Sequence, residues 1–234
     1  MAPPDGIEWL PDPVAWSNYD LVDRFIPLGQ MMRNSLMVVA IAVPLTILVA
    51  SLGGFAIAAA TPRARRVLIG LSLVALMVPV TALWVPRFAL FKWLGLTDSL
   101  VPLVAPALMA TTPFYVLLFA LAYWRIPKNL FDAARLDGLS PFQIWWRVAL
   151  PLARPTIFAV GVLAFATHWS NFVEPLLYLS SPEKFTLPLG LRALQTLEPA
   201  NHPILLAASV LVTIPPVVAF LLAQRAFFSR TLEV

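Results

Sequence analysis

The sequence predicts an all-α, polytopic membrane protein with five transmembrane helices, and three observations carry that prediction. Of 234 residues, 60% are hydrophobic and only 12% charged, at a mean hydropathy of +0.82, well outside the range of soluble globular domains. Four uncharged runs, Leu36 to Ala60, Val67 to Pro86, Leu100 to Trp124 and Ile204 to Ala223, each reach the roughly 20 residues that a spanning helix requires. A fifth run, Thr156 to about Leu179, is equally long but carries His168 and Glu174.

The elements follow in order. Residues 1–35 form a polar N-terminal segment that holds Asp5, Glu8, Asp12, Asp20 and Asp23. In the first span Ala50, Gly54 and Ala58 recur every fourth residue, a seam of small side chains suited to close helix packing. A basic turn, Thr61 to Arg66, leads to the second span. Arg87 to Ser99 alternates aromatic and charged residues and reads as a short amphipathic helix at the outer interface. Prolines recur within the spans, at Pro44, Pro79, Pro102, Pro106, Pro113, Pro175, Pro215 and Pro216, and each inner one removes a backbone bond and bends its helix.

Arg125 to Pro155 is an amphipathic, charged stretch between two apolar spans. Pro127 suits a first helical turn, and Gly138 falls where a left-handed helix stop belongs. Ser140, Pro141 and Gln143 then supply a cap, a first position and a capping box for a second helix, with Leu139 and Ile144 as a hydrophobic staple. On the first helix Lys128, Asp132 and Arg135 share one face, while Leu130, Ala133 and Ala134 share another. The two alanines would let a partner's backbone come close. An interfacial helix anchored in headgroups by Trp145 and Trp146 is the alternative that amphipathicity alone supports.

Charge sets the topology. With Thr61 to Arg66, Arg125 to Pro155 and the C-terminus in the cytoplasm, that side holds ten of the sixteen Lys and Arg residues. The other side holds six of them, with eight of the twelve acids. This is the positive-inside bias, and it also explains the isoelectric point near 9.9 without nucleic acid. Absence of cysteine excludes disulfides and thiolate chemistry. His168 and His202 lie too far apart in sequence to begin a ligand cluster, so no metal site is expected.

At the loop a family resemblance becomes specific. Asp132-Ala133-Ala134, then Gly138, then Val148-x-Leu150-Pro151 resembles the EAA loop of the membrane subunits of binding-protein-dependent ABC importers, of pattern E-A-A-x(3)-G-x(9)-I-x-L-P, with every spacing kept. Asp132 stands for glutamate and Val148 for isoleucine, so charge and branched apolar contact survive. Further on, Trp169, Asn171, Phe172, Pro175 and Leu176, with Thr186 to Leu191, resemble the W-N-[DE]-F-x-x-P-L run and T-L-P-x-G-L end of the carbohydrate-uptake subgroup. Ser170 and Asn171 depart from its usual asparagine and acid.

The resemblance implies a type I importer permease of the bacterial inner (cytoplasmic) membrane. Its family pattern has six helices, of which the first is missing here, so either a start upstream of the present one or a five-span variant is expected. Residues 1–35 would be external, 36–228 the transmembrane domain with a cytoplasmic coupling loop at 125–155, and 229–234 a cytoplasmic tail. Asp132, Ala133, Ala134, Arg135, Asp137, Gly138, Val148, Leu150 and Pro151 would meet an ATPase subunit. The implied partners are two ATPase subunits, which use ATP and Mg, a second permease subunit, an external solute-binding protein and membrane lipid. No cofactor is expected on this chain, because no G-x-x-x-x-G-K-[ST] phosphate loop occurs in it.

Trp169 and Phe172 could stack on sugar faces, and Asn171 could bond hydroxyls. Glu174 either faces the bundle interior or sits near the outer interface, since a carboxylate at mid-bilayer costs about 2.5–3.5 kcal/mol. The reading is therefore a transport subunit and not an enzyme, importing a sugar or oligosaccharide. A transporter or channel driven by an ion gradient is the alternative, although such proteins carry several intramembrane ionisable groups and inverted repeats. A truncated, non-transporting membrane subunit is another.

Overall fold

The computed structural model describes residues 15–108 and 112–228. The first 14 residues of the expected external segment and the expected tail at 229–234 lie outside them. Among the described residues there are helices and no strand.

A short helix α1 (Ser17–Phe25) leads into α2 (Leu28–Ala59), the long central helix. α2 begins at Leu28, not at Leu36 where the apolar run starts. Its first two turns are polar because they are spent on another segment: Gln30 and Asn34 donate to the carbonyl of Glu183, Asn34 also to that of Phe185, and the Ser35 hydroxyl accepts from the Leu187 amide. Thr61 caps α3 (Pro62–Met77), and Pro62 takes its first position. The expected second span does not continue as one helix. Val78 precedes Pro79 and is extended (ψ 116°), as that position disfavours helix. A short 3-10 turn then leads to α4 (Trp84–Trp93), and the two arms meet at 85°.

α5 (Val101–Leu108) and α6 (Pro113–Trp124) flank residues 109–111. After α7 (Lys128–Leu136) and α8 (Pro141–Leu152), α9 (Arg154–Trp169) re-enters the bundle at 81° to α8. The expected span Thr156 to about Leu179, the fourth along the chain, is broken as well, since α9 stops at Trp169 and α10 (Val173–Tyr178) begins only after residues 170–172. α11 (Leu187–Leu197) and α12 (His202–Phe228) complete the chain. Among the described residues, three helical stretches are long and apolar enough to cross a membrane, or up to five if each bent pair is one span, by length and composition.

α2 packs against α5, α6, α9 and α11. Its small-residue seam is used: Ala50 and Gly54 are buried, and a Cβ on Gly54 would lie 2.5 Å from Phe119 Cβ and 2.7 Å from the Ala120 nitrogen. α1 and the start of α2 pack with α11 and α12 around Val22, Leu187 and Ala208. α3 buries no residue, and Val67, Leu71 and Val74 on it stand exposed, as do Leu206, Val210 and Ile214 on α12. Such apolar surface requires lipid or another membrane chain.

Candidate functional site

The loop between α6 and α9 is shaped by its own residues. α7 ends in a Schellman turn, in which Gly138 adopts φ +78°, its amide donates to the Arg135 carbonyl (3.0 Å), and the Leu139 amide donates to the Ala134 carbonyl (3.1 Å). Ser140 and Gln143 form the reciprocal capping box that starts α8. Residues Trp145–Ala149 then widen into a π turn, with the Leu150 amide donating to the Trp145 carbonyl. Pro151 explains the slip: it has no amide, and its ring crowds the carbonyl of residue 147 in a regular helix.

The loop is fastened to the bundle on one side and bare on the other. Phe131 and Ala134 face inward, and the Phe131 ring lies 6.3 Å from that of Phe55 on α2. Trp145 is buried, and its indole donates to Ser51 of α2 (2.9 Å). Of the two alanines expected to admit a partner, only Ala133 is exposed; Ala134 is spent on packing within the chain. Leu130, Ala133 and Leu136 form the bare side, with Leu136 89% exposed. Asp132 and Arg135 pair at 2.8 Å, both exposed. Asp137, Gly138 and Pro151 are exposed, while Val148 and Leu150 are half-buried. Between α7 and the ends of α2 and α6 lies a cleft of about 560 Å³ lined by Arg65, Lys128 and Asp132 among others. Trp146, unlike Trp145, points away from the protein and is 56% exposed.

A second site lies in the other half of the bundle, where the two broken spans meet. Val78 and Pro79 at one break and Ser170, Asn171 and Phe172 at the other line a cavity of about 690 Å³. Thr46, Trp84, Arg87, Tyr115, Thr167, His168 and Glu174 also line it. Glu174 is neither alone nor at the lipid face. It meets the Arg87 guanidinium at 3.3 Å and accepts from the Asn171 side chain at 2.7 Å, and both charged side chains are mostly buried (14% and 13% exposed). Pairing offsets the cost of burying a carboxylate.

Asn171, Phe172 and Glu174 thus line one cavity, and Trp169 does not join them. It is buried, stacked on Phe165 (centroids 5.5 Å apart), and belongs to the core around α1, α11 and α12. α9 turns about 100° per residue, so the position next to a cavity-lining histidine points elsewhere. Arg87 escaped sequence reasoning because its partner lies 87 residues away. The available signal was a cation at the end of one long uncharged run, Val67 to Pro86, and an acid within another apolar run, Thr156 to about Leu179.

The α4–α5 loop and the α10–α11 loop are clasped together. Asp98, at φ +55°, accepts from the Ser181 hydroxyl (2.6 Å), the Ser180 and Ser181 amides and the Lys184 ammonium (2.9 Å). Its own amide donates to the Tyr178 carbonyl. The Ser181 hydroxyl, then the other donors, hold its carboxyl well below the usual carboxylate range. Among the described residues no group of three His, Cys, Asp or Glu side chains is placed to hold a metal ion.

Residues 42–233 match the family described as binding-protein-dependent transport system inner membrane component. The arabinooligosaccharides transport system permease protein AraQ of Halalkalibacterium halodurans is 36% identical over 196 residues, which is 84% of this chain and 70% of that protein. AraQ of Bacillus subtilis is 33% identical over 84% of this chain and 69% of its own length. In fold, the chain resembles a bacterial ABC transporter involved in the import of the acidic polysaccharide alginate, with a TM-score of 0.76 at 22% identity over 95% of this chain and 83% of that one. The family match runs from the middle of α2 beyond the end of α12 and contains both the loop and the cavity. The chain therefore belongs to the inner membrane components of binding-protein-dependent transport systems.

Proposed function

We propose that this chain is one permease subunit of an ATP-driven ABC importer, that its substrate is a neutral oligosaccharide, and that Asp132 to Pro151 couples it to ATPase subunits. The observation that carries the reading is the two-sided loop: anchored inward through Phe131, Ala134 and Trp145, it leaves Leu130, Ala133 and Leu136 bare on the side away from the bundle. Covering a side chain as exposed as Leu136 is worth about 1.5–3 kcal/mol, which a docked subunit would supply. Two ATPase subunits, a companion permease and an external binding protein complete the assembly by family analogy. The ATP and Mg chemistry resides in the ATPase subunits.

The cavity supports the substrate class. Its aromatic rings (Trp84, Tyr115, Phe172) suit the apolar faces of sugar rings, and its hydroxyls and amide (Thr46, Thr167, Ser170, Asn171) suit sugar hydroxyls. Its cation, Arg87, is already matched by Glu174, so an anionic ligand would have to displace a carboxylate from a mostly buried pair. This favours cargo like that named for AraQ over an acidic polysaccharide like that named for the solved transporter.

The test is ATP-dependent oligosaccharide uptake into proteoliposomes holding the whole importer. Asp132→Lys reverses the charge beside Arg135 and should abolish most uptake while leaving the chain in the membrane. Unchanged uptake would remove the coupling assignment. Flux through this chain alone, without ATP, would overturn the importer reading.

A further inference from the structure

Three elements meet at one buried hydroxyl. Ser51 lies about two turns before the end of α2 and is fully buried; Tyr123 is in the last turn of α6, just before the loop; Trp145 opens the π turn of α8. The Trp145 indole N–H donates to Ser51 Oγ at 2.9 Å, and the Ser51 and Tyr123 hydroxyls share a further hydrogen bond. Tyr123 and Trp145 are each 1% exposed. An indole offers one donor and no acceptor, so when it is buried its single bond fixes its direction. Breaking that bond leaves an unsatisfied buried group, at a cost comparable to a lost hydrogen bond or more.

Rings close the site from both sides. Phe55 and Phe119 pack on Tyr123 (centroids 5.8 Å each), and Phe142 packs on Trp145 (5.2 Å). α8 therefore cannot turn against α2 without breaking the bond at Ser51. From Ser51, α2 runs on to Thr46 in the cavity wall and then to Gln30, Asn34 and Ser35, which hold the outer loop.

We infer that Ser51 is the positioning residue through which the loop moves the membrane helix: the Trp145 to Ser51 bond transmits displacement of α8 to α2, and through α2 to the cavity and the outer loop. This rests on the importer reading above. α6 and α9 continue directly from the loop's two ends, so assembly and ATP hydrolysis do not depend on the bond. What depends on it is the yield of transport per ATP.

The test compares Ser51→Ala, Trp145→Phe and the double variant in the complete importer, reconstituted with its binding protein and companion subunits. Uptake, binding-protein-stimulated ATP hydrolysis and thermal stability are all measured. Each single variant should hydrolyse ATP near the wild-type rate, while uptake per ATP falls at least about fivefold, the low end of ordinary site-to-site coupling. The double variant should fall no further than Ser51→Ala alone, because that change already removes the contact that Trp145→Phe removes. Ser72→Ala, whose hydroxyl bonds only the Leu68 carbonyl of its own helix, should keep the wild-type ratio. An unchanged ratio in the single variants, fully additive losses, or uptake and hydrolysis falling together in step with stability would each overturn the inference. A wild-type complex that moves no oligosaccharide with ATP would instead remove the importer reading on which it rests.

Discussion

Replacing Gly138 by valine tests whether the shape of the loop, and not merely its composition, recruits the ATPase. At φ +78° the residue sits in the left-handed region, which costs an ordinary L-residue about 1–2 kcal/mol, and a β-branched one has no local bond to offset it. No atom lies within 4 Å of a Cβ built there, so the penalty is backbone strain without a steric clash. If the turn relaxes instead, the Gly138 to Arg135 and Leu139 to Ala134 hydrogen bonds are lost, at about 0.5–1.5 kcal/mol each. Either route charges roughly 1.4 kcal/mol or more against the docked geometry, or about tenfold in affinity. The assay is titration of permease nanodiscs with a fluorescent ATPase dimer, alongside thermal unfolding of the permease. The dissociation constant should rise about tenfold with the unfolding midpoint of the spans unchanged. Gly138→Asn, which tolerates this region, should retain most of the affinity. Valine binding as tightly as glycine, or asparagine falling as far as valine, would refute the reasoning.

Two further outcomes test the frame around the sites. Gly54→Ala places a methyl 2.5 Å from Phe119 Cβ, where carbon atoms settle at about 3.5–4.0 Å. α2 and α6 must part, so stability should fall by about 1–3 kcal/mol, read as a lower unfolding midpoint than for Gly29→Ala, where nothing lies within 4 Å; equal midpoints would contradict the close packing. For the outer clasp, the Asp98 carboxyl in the folded chain is held below its usual 3.8, so its contribution is complete above that pH and is lost as pH falls below it. The gap in unfolding midpoint between wild type and Asp98→Asn should accordingly be constant from pH 5 to 8 and narrow below pH 4; a gap that widens in acid would reverse the sign.

What the sequence made legible was whatever local chemistry decides. The capping box at Ser140 and Gln143, the left-handed stop at Gly138 and the seam at Gly54 each depend on residues within one or two turns, and each appears where expected. Three features were not legible, for physical reasons. α2 begins eight residues early because Gln30, Asn34 and Ser35 satisfy backbone groups some 150 residues away, and a hydropathy window counts them only as polar. The second and fourth spans break because a proline or a short polar run ends a helix locally while apolarity continues across it. Trp169 and Ala134 carry the right residue types, but rotation about the helix axis assigns both to the interior.

The two interrupted spans also bear on water. Backbone that leaves a helix at membrane depth is tolerated only where protein buries it or where it borders an aqueous space. Val78, Pro79, Ser170, Asn171 and Phe172 border the cavity, so both breaks face a space wide enough to hold water. Where α2, α6, α8 and α9 close over Ala50, Phe119, Ala149 and Val160, by contrast, the wall is packed and apolar.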